Sequence, residues 1–122
     1  MLILAVFIDR AIKWAFMLYW PSFVFVNNGL IFSLQANFWL ILAVSGVLIA
    51  VVAAFWFKSL GFSLILAGAI SNFIDRIAFG GVIDYIKIST GYFNFSDILI
   101  IAGVLCVLFT KQNISVDNNK LE

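Results

Sequence analysis

Residues 38–57 read FWLILAVSGVLIAVVAAFWF, twenty consecutive positions without a charged side chain. A helix needs about 20 mostly apolar residues to cross the hydrocarbon of a bilayer, so this stretch predicts a membrane span. Residues 60–78 form a second candidate, with Asn72, Asp75 and Arg76 in its last turns. A third runs from about 93 to 110. Residues 1–20 are interrupted by Asp9, Arg10 and Lys13 and stopped by Pro21, yet they too read as a span, because otherwise Trp14, Phe16, Leu18 and Trp20 would face water. The expected fold is an all-α polytopic membrane protein with four transmembrane helices. It forms a single domain over 1–122, with extracytoplasmic segments at 21–37 and 79–92 and a cytoplasmic tail at 111–122 whose polar end, 113–122, reads as frayed.

Composition agrees with membrane residence. With 65% hydrophobic and only 11% charged residues, the chain has too few polar groups to cover a soluble domain of this size. A net charge of +1 without a basic run excludes a nucleic-acid partner. Histidine is absent and Cys106 is the single cysteine, which removes His/Cys zinc sites, Ser-His-Asp triads and Cys-His pairs. No metal or cofactor is expected, and Cys106 reads as a small packed hydrophobe. The apolar start lacks a basic leader and a small-residue cleavage site, so it is read as helix rather than signal peptide.

Four spans put both termini on one side, together with Lys58, Lys111 and Lys120, and the positive-inside rule makes that side cytoplasmic. The opposite side then carries Ser22–Leu34, rich in aromatic and β-branched residues around Asn27-Asn28-Gly29, which reads as a short hairpin or extended, β-like cradle.

Of the six acidic residues, Asp117 and Glu122 lie in the tail, whereas Asp9, Asp75, Asp84 and Asp97 fall in or beside the spans. A charge at mid-bilayer costs about 2.5–3.5 kcal/mol on insertion scales, so each of these four needs a partner or a wet cavity. Positions 72, 75 and 76 share one helical face at the outer end of their span. Asp84 follows a short Gly80-Gly81 loop, and Asp97 opens the last span just after Asn94. Asp9 and Lys13, one turn apart, can join from the first helix.

Two close carboxyl groups cannot both ionise easily. One can then act as general base on water while the protonated one assists a carbonyl or leaving amine. Asp84 and Asp97 form the better pair, because Arg76 and Asn72 beside Asp75 favour a permanently ionised, structural role. Each signal also has a plainer meaning: Asp75-Arg76 as an interfacial helix end, Asp97 as a first-turn acid, Asn27-Asn28-Gly29 as a turn, Gly68 as a helix-packing residue. Spacing alone leaves the function open.

The residues GAISNFIDR at 68–76, GVIDY at 81–85 and FNFSD at 93–97 resemble, in order, three motifs of lipoprotein signal peptidase (signal peptidase II). Asp9-Arg10-Ala11-Ile12-Lys13 is similar to that family's Asp-x-x-x-Lys element, and Asn27-Asn28-Gly29-Leu30-Ile31-Phe32-Ser33 to its Asn-x-Gly-x-x-Phe element. The resemblance implies an aspartic endopeptidase of the bacterial cytoplasmic (inner) membrane, with its active site toward the extracytoplasmic face. It would act as a monomer amid membrane lipid, cutting prolipoproteins just before a diacylglyceryl-modified cysteine. It implies Asp84 and Asp97 as catalytic residues, and Asn27, Gly29, Asn72, Asp75, Arg76, Asn94, Asp9 and Lys13 as residues that hold substrate or shape the site. Ser71 stands where the family has glycine, Ser96 where it has alanine and Tyr85 where phenylalanine is usual. The rival class is a small proton-coupled transporter, whose acids would lie near mid-membrane, often between inverted repeats; no repeat is evident here.

Overall fold

Residues 1–29, 37–56 and 59–121 are described by the computed structural model. The chain runs α1 (Leu2–Tyr19), a 3₁₀ turn (Pro21–Phe23), β1 (Phe25–Asn27), α2 (Phe38–Phe55) and α3 (Leu60–Phe79). It continues through β2 (Val82–Asp84), β3 (Ile86–Ile88) and β4 (Gly91–Phe93) to α4 (Phe95–Leu121). Local chemistry fixes most of these boundaries. Pro21 ends α1, because a proline disfavours helical backbone in the residue before it. Asn37 caps α2 by accepting the Trp39 N–H at 2.9 Å, and Ser59 caps α3 by accepting the Phe62 N–H at 3.4 Å. At the far end of α3, Gly80 adopts φ 76°, a left-handed conformation that suits glycine, and its N–H bonds the Arg76 carbonyl at 3.1 Å.

Among the described residues, α2, α3 and α4 are long and apolar enough to cross a membrane. The protein is therefore a membrane protein, and large exposed side chains such as Trp39 and Val47 on α2 are lipid contacts. Helix α1 has three charged residues within its 18 and lies outside that group. Its charges turn inward, with Asp9 and Lys13 buried, while Ile3, Phe7, Trp14 and Leu18 face out.

The fold is mostly helical, as expected, and the single β-like cradle expected beside the helices is joined by further strands in two small antiparallel sheets. Strand β1 pairs with β2 in the register Phe25↔Asp84, Val26↔Ile83 and Asn27↔Val82. Strand β3 pairs with β4, Ile86 opposite Phe93 and Ile88 opposite Gly91. The segment 79–92, for which no strands were expected, holds most of the strand structure. The cradle around Asn27 is built by pairing with distant β2; its continuation over 30–36 lies outside the described residues, as do Lys58 and Glu122. The last helix starts at Phe95 rather than 93, because Phe93 is claimed by β4 and Asn94 caps the helix. Nor does the chain fray from 113: with no glycine or proline between Thr110 and Lys120, α4 stays helical to Leu121. At about 1.5 Å per residue its 27 residues span roughly 40 Å, against about 30 Å of hydrocarbon, so its end projects beyond the core of the bilayer.

Helix α3 is central, touching α1, α2 and α4. At Gly68 the α4 backbone comes so near that a Cβ there would stand 2.4 Å from the Ser96 carbonyl oxygen. Gly68 is indeed a packing residue, and it sets the first turn of α4, with Asp97, hard against α3.

Candidate active site

Three backbone segments meet at the C-terminal end of α3: the last turns of α3 itself, strand β2 after the Gly80 turn, and the start of α4. Asn94 organises the last of these. Its Oδ1 accepts the Asp97 N–H at 3.0 Å, and its own N–H donates to Asp97 Oδ2 at 3.0 Å. This is the reciprocal arrangement of a capping box, with aspartate in place of the usual Glu or Gln. The same side chain reaches the other acid, because Asn94 Nδ2 donates to Asp84 Oδ1 at 2.7 Å. One asparagine therefore holds both carboxyl groups.

The remaining oxygens of the pair are also bound. Asn72 Nδ2 donates to Asp97 Oδ1 at 3.1 Å, and Asn27 Nδ2 donates across from β1 to Asp84 Oδ2 at 3.3 Å. Asn72 Oδ1 in turn accepts from Asn94 Nδ2 at 3.2 Å. Burial pushes the Asp84 carboxyl up to about 6, and the nearby charge of Asp97 adds to the effect, against the opposing bonds from Asn94 and Asn27. Asp84 is thus an acid able to carry a proton near neutrality, placed beside a second carboxyl.

Behind the pair lies a neutral cluster of four charges. Lys13 Nζ sits 2.8 Å from Asp9 Oδ2 and 2.7 Å from Asp75 Oδ2, and it donates to Asn72 Oδ1 at 3.3 Å and Ser96 Oγ at 3.4 Å. Arg10 binds Asp75 Oδ1 and stands 3.6 Å from Asp9, whose Oδ2 also accepts from the Ser71 hydroxyl. The ion pairs of Asp75 run to Arg10 and Lys13 on α1 rather than to its neighbour Arg76. Successive residues on a helix point about 100° apart, and Arg76 Nη2 instead donates to the Gly29 carbonyl at 3.5 Å. Asp75 Oδ2 also accepts the Ile83 N–H at 3.1 Å, tying down β2 one residue before Asp84.

A cavity of about 700 Å³ runs from this site along α2, α3 and α4. Asn27, Asn72, Arg76, Asp84 and Asp97 line its polar end, and Leu48, Val52, Ile65 and Ile100 are among the apolar residues along its length. Asn94 lies behind the two acids, and Lys13 of α1 supports Asn72, while neither it nor Asp9 nor Asp75 lines the cavity. Gly29 contributes its carbonyl. All ten residues singled out in the sequence thus fall in one connected region. Among the described residues, no group of three or more Asp, Glu, His or Cys is placed to hold a metal ion.

Four contributors were not identified as site residues from the sequence: Arg10, Ser71, Ser96 and Tyr85. Arg10 carried a usable signal, since it lies three residues before Lys13 and so on nearly the same helical face. The Tyr85 hydroxyl accepts the Phe95 N–H at 3.0 Å at the start of α4, while its ring stacks on Phe16 of α1 at 4.2 Å. Burial pushes this phenol up to about 12, so it stays neutral. Tyr85→Phe keeps the stack but orphans the Phe95 N–H. It is expected to cost about 1–3 kcal/mol of stability, read from unfolding in detergent.

Comparison with known proteins places the chain among relatives. A family model described as signal peptidase (SPase) II matches residues 1–112. The lipoprotein signal peptidase of Allorhizobium ampelinum is 33% identical over 131 residues, which cover 85% of this chain and 80% of the relative. That of Trichormus variabilis is 37% identical over 106 residues, or 76% of this chain and 66% of its own length. A solved bacterial membrane enzyme shares the fold, with a TM-score of 0.79 at 21% identity over 95% of this chain and 87% of that one.

Proposed function

This chain belongs to the signal peptidase II family, and from that premise we propose that it removes signal peptides from prolipoproteins by using Asp84 and Asp97 as a catalytic pair. The observation that carries the assignment is Asn94, whose amide binds Asp84 and whose carbonyl oxygen and backbone N–H bind Asp97. A helix cap alone has no need of the second acid.

In this reading Asp97 takes a proton from the attacking water while Asp84 gives its own to the peptide carbonyl oxygen; Asp97 then passes its proton to the leaving amine as Asp84 takes one back from the gem-diol, which restores both acids. Asn72 and Asn94 keep the two carboxyl groups in register throughout, so little reorganisation accompanies the reaction. Each carboxylate oxygen has two lone pairs, so one stays available for water after each of these bonds is made. Peptide bonds need this assistance from both sides, because the amide carbonyl is a poor electrophile and its amine a poor leaving group.

The substrate enters sideways from the bilayer, and the cavity of about 700 Å³ between α2, α3 and α4 takes the scissile segment and the glyceryl-cysteine beside it, with the acyl chains and the apolar signal helix left in the adjoining lipid. Helix α1 acts as a fourth span: its outer face is apolar and its three charges are satisfied within the protein. The acids then lie at the extracytoplasmic face of the bacterial inner membrane, where a translocated signal peptide presents its cleavage site, and the enzyme works as a monomer.

The test is cleavage of a diacylglyceryl-modified prolipoprotein by the protein reconstituted in lipid. No cleavage, or equal cleavage of an unlipidated substrate, would sink the proposal. The same assay reads pH dependence. Asp84 must be protonated to act as acid, so kcat/KM is expected to fall as pH rises through about 6. Substrate that displaces water from the cavity raises an acid's proton affinity further, so the corresponding inflection in kcat is expected at higher pH. An inflection that rises rather than falls near pH 6 would give the two acids the opposite roles.

A further inference from the structure

Arg10 is absent from every motif reading of the site, lines no part of the cavity and yet closes the charge cluster behind it. Asp75 divides its carboxylate between two cations: Arg10 binds Oδ1, and Lys13 binds Oδ2 at 2.7 Å. Oδ2 is also the acceptor for the Ile83 N–H at 3.1 Å. Without Arg10 the carboxylate is held through Oδ2 alone, which Lys13 and the Ile83 N–H share, so the group can turn toward the stronger, charged donor. With both oxygens held, its plane is fixed and Oδ2 stays aimed at β2. Ile83 is the residue before Asp84, and all of β2 is buried. The placement of the Asp84 carboxyl therefore depends on a bond whose acceptor Arg10 orients.

We propose that Arg10 is a positioning residue for catalysis, holding the Asp75 carboxylate in the rotation that anchors strand β2 and thereby sets Asp84 against Asp97. The proposal rests on the reading of Asp84 and Asp97 as the catalytic pair. It separates the work of two neighbouring cations. Lys13 sits at the centre of the cluster, where it also supports Asn72 and Ser96. Arg10 lies at the rim, its side chain 21% exposed, and its contacts go to the two aspartates alone among the bonds described. Rotational freedom at Asp75 shifts the reacting acid without altering the groove that binds substrate, so the loss belongs in kcat and not in KM. Misplacement of a catalytic group by about 1 Å lowers rates on the order of a hundredfold.

The experiment compares wild type, Arg10→Gln, Arg10→Lys and Asp97→Asn, reconstituted in lipid, with a lipid-modified prolipoprotein as substrate. Arg10→Gln is expected to lower kcat by roughly ten- to a hundredfold with KM within about twofold. Arg10→Lys keeps the charge with a single-point donor and is expected to fall between Arg10→Gln and wild type. Wild-type kcat in Arg10→Gln, or a loss carried by KM, overturns the proposal. If Arg10→Gln is not recovered folded, Arg10→Lys decides alone, and its retaining full kcat overturns the proposal. Full activity of Asp97→Asn, or an inactive wild type, would instead overturn the underlying assignment of the catalytic pair.

Discussion

Asp84→Asn and Asp97→Asn are each expected to reduce kcat by about 10³-fold or more, and the double variant by scarcely more than either alone. General acid–base assistance is typically worth about 10²–10⁴-fold, and residues that act as a unit lose nearly all of it when one is removed. The two variants should differ in stability, which separates chemistry from folding. Asp84 is 1% exposed, and its carboxyl is pushed up to about 6 from an ordinary value near 3.8. The folded state therefore binds more protons than the unfolded chain between those values. Stability from this group is greatest at low pH and declines as pH rises from about 4 to about 6. At neutral pH an ionised Asp84 burdens the fold, and Asp84→Asn is expected to stabilise it by about 1–2 kcal/mol. Asp97→Asn weakens the capping box and is expected to destabilise by about 0.5–2 kcal/mol. Unfolding midpoints in detergent, measured beside activity, check both. Two dead enzymes with opposite shifts in stability exclude misfolding as the common cause. An Asp84→Asn protein less stable than wild type at pH 7 would contradict the electrostatic account of the site.

Lys13→Met should have the largest effect on folding. The Lys13 ammonium is fully buried and touches Asp9, Asp75, Asn72 and Ser96. Its removal leaves two buried carboxylates to share one rim arginine. Breaking a buried ion pair by deleting one partner costs about 3–5 kcal/mol, a large part of the roughly 5–15 kcal/mol that stabilises an ordinary domain. Little folded protein is expected, and what is recovered should unfold at much lower denaturant. Lys13→Arg is not a remedy, because a planar guanidinium cannot place its donors on four acceptors grouped around a point charge. Stability within about 1 kcal/mol of wild type for Lys13→Met would show that the cluster is hydrated well enough to dispense with its central cation.

The sequence made legible whatever depends on near neighbours. The unbroken apolar run of α2 identified a span, and Asn72, Asp75 and Arg76 at helical spacing identified a polar face. The Asn94-Phe95-Ser96-Asp97 stretch marked the start of a helix. The small sheets were harder to read for physical reasons. Strand β1 pairs with β2 nearly sixty positions away, Phe25 opposite Asp84, and three-residue strands carry too little alternation to announce themselves. The partners of Asp75 were misread because sequence adjacency suggested Arg76, whereas the cations come from α1, more than sixty residues earlier. Composition made 113–122 look like a frayed tail, but polar residues without a helix breaker simply extend a helix already nucleated upstream.

The charge cluster also bears on how the protein is made. On its own, α1 carries Asp9 against Arg10 and Lys13, and so holds one positive charge in excess. The matching charge is Asp75, 62 residues after Lys13. At a synthesis rate of roughly 5–20 residues per second, that partner emerges about 3–12 s later. Until then the excess charge of α1 has no partner, so α1 is expected to reach its final place only once α3 is present.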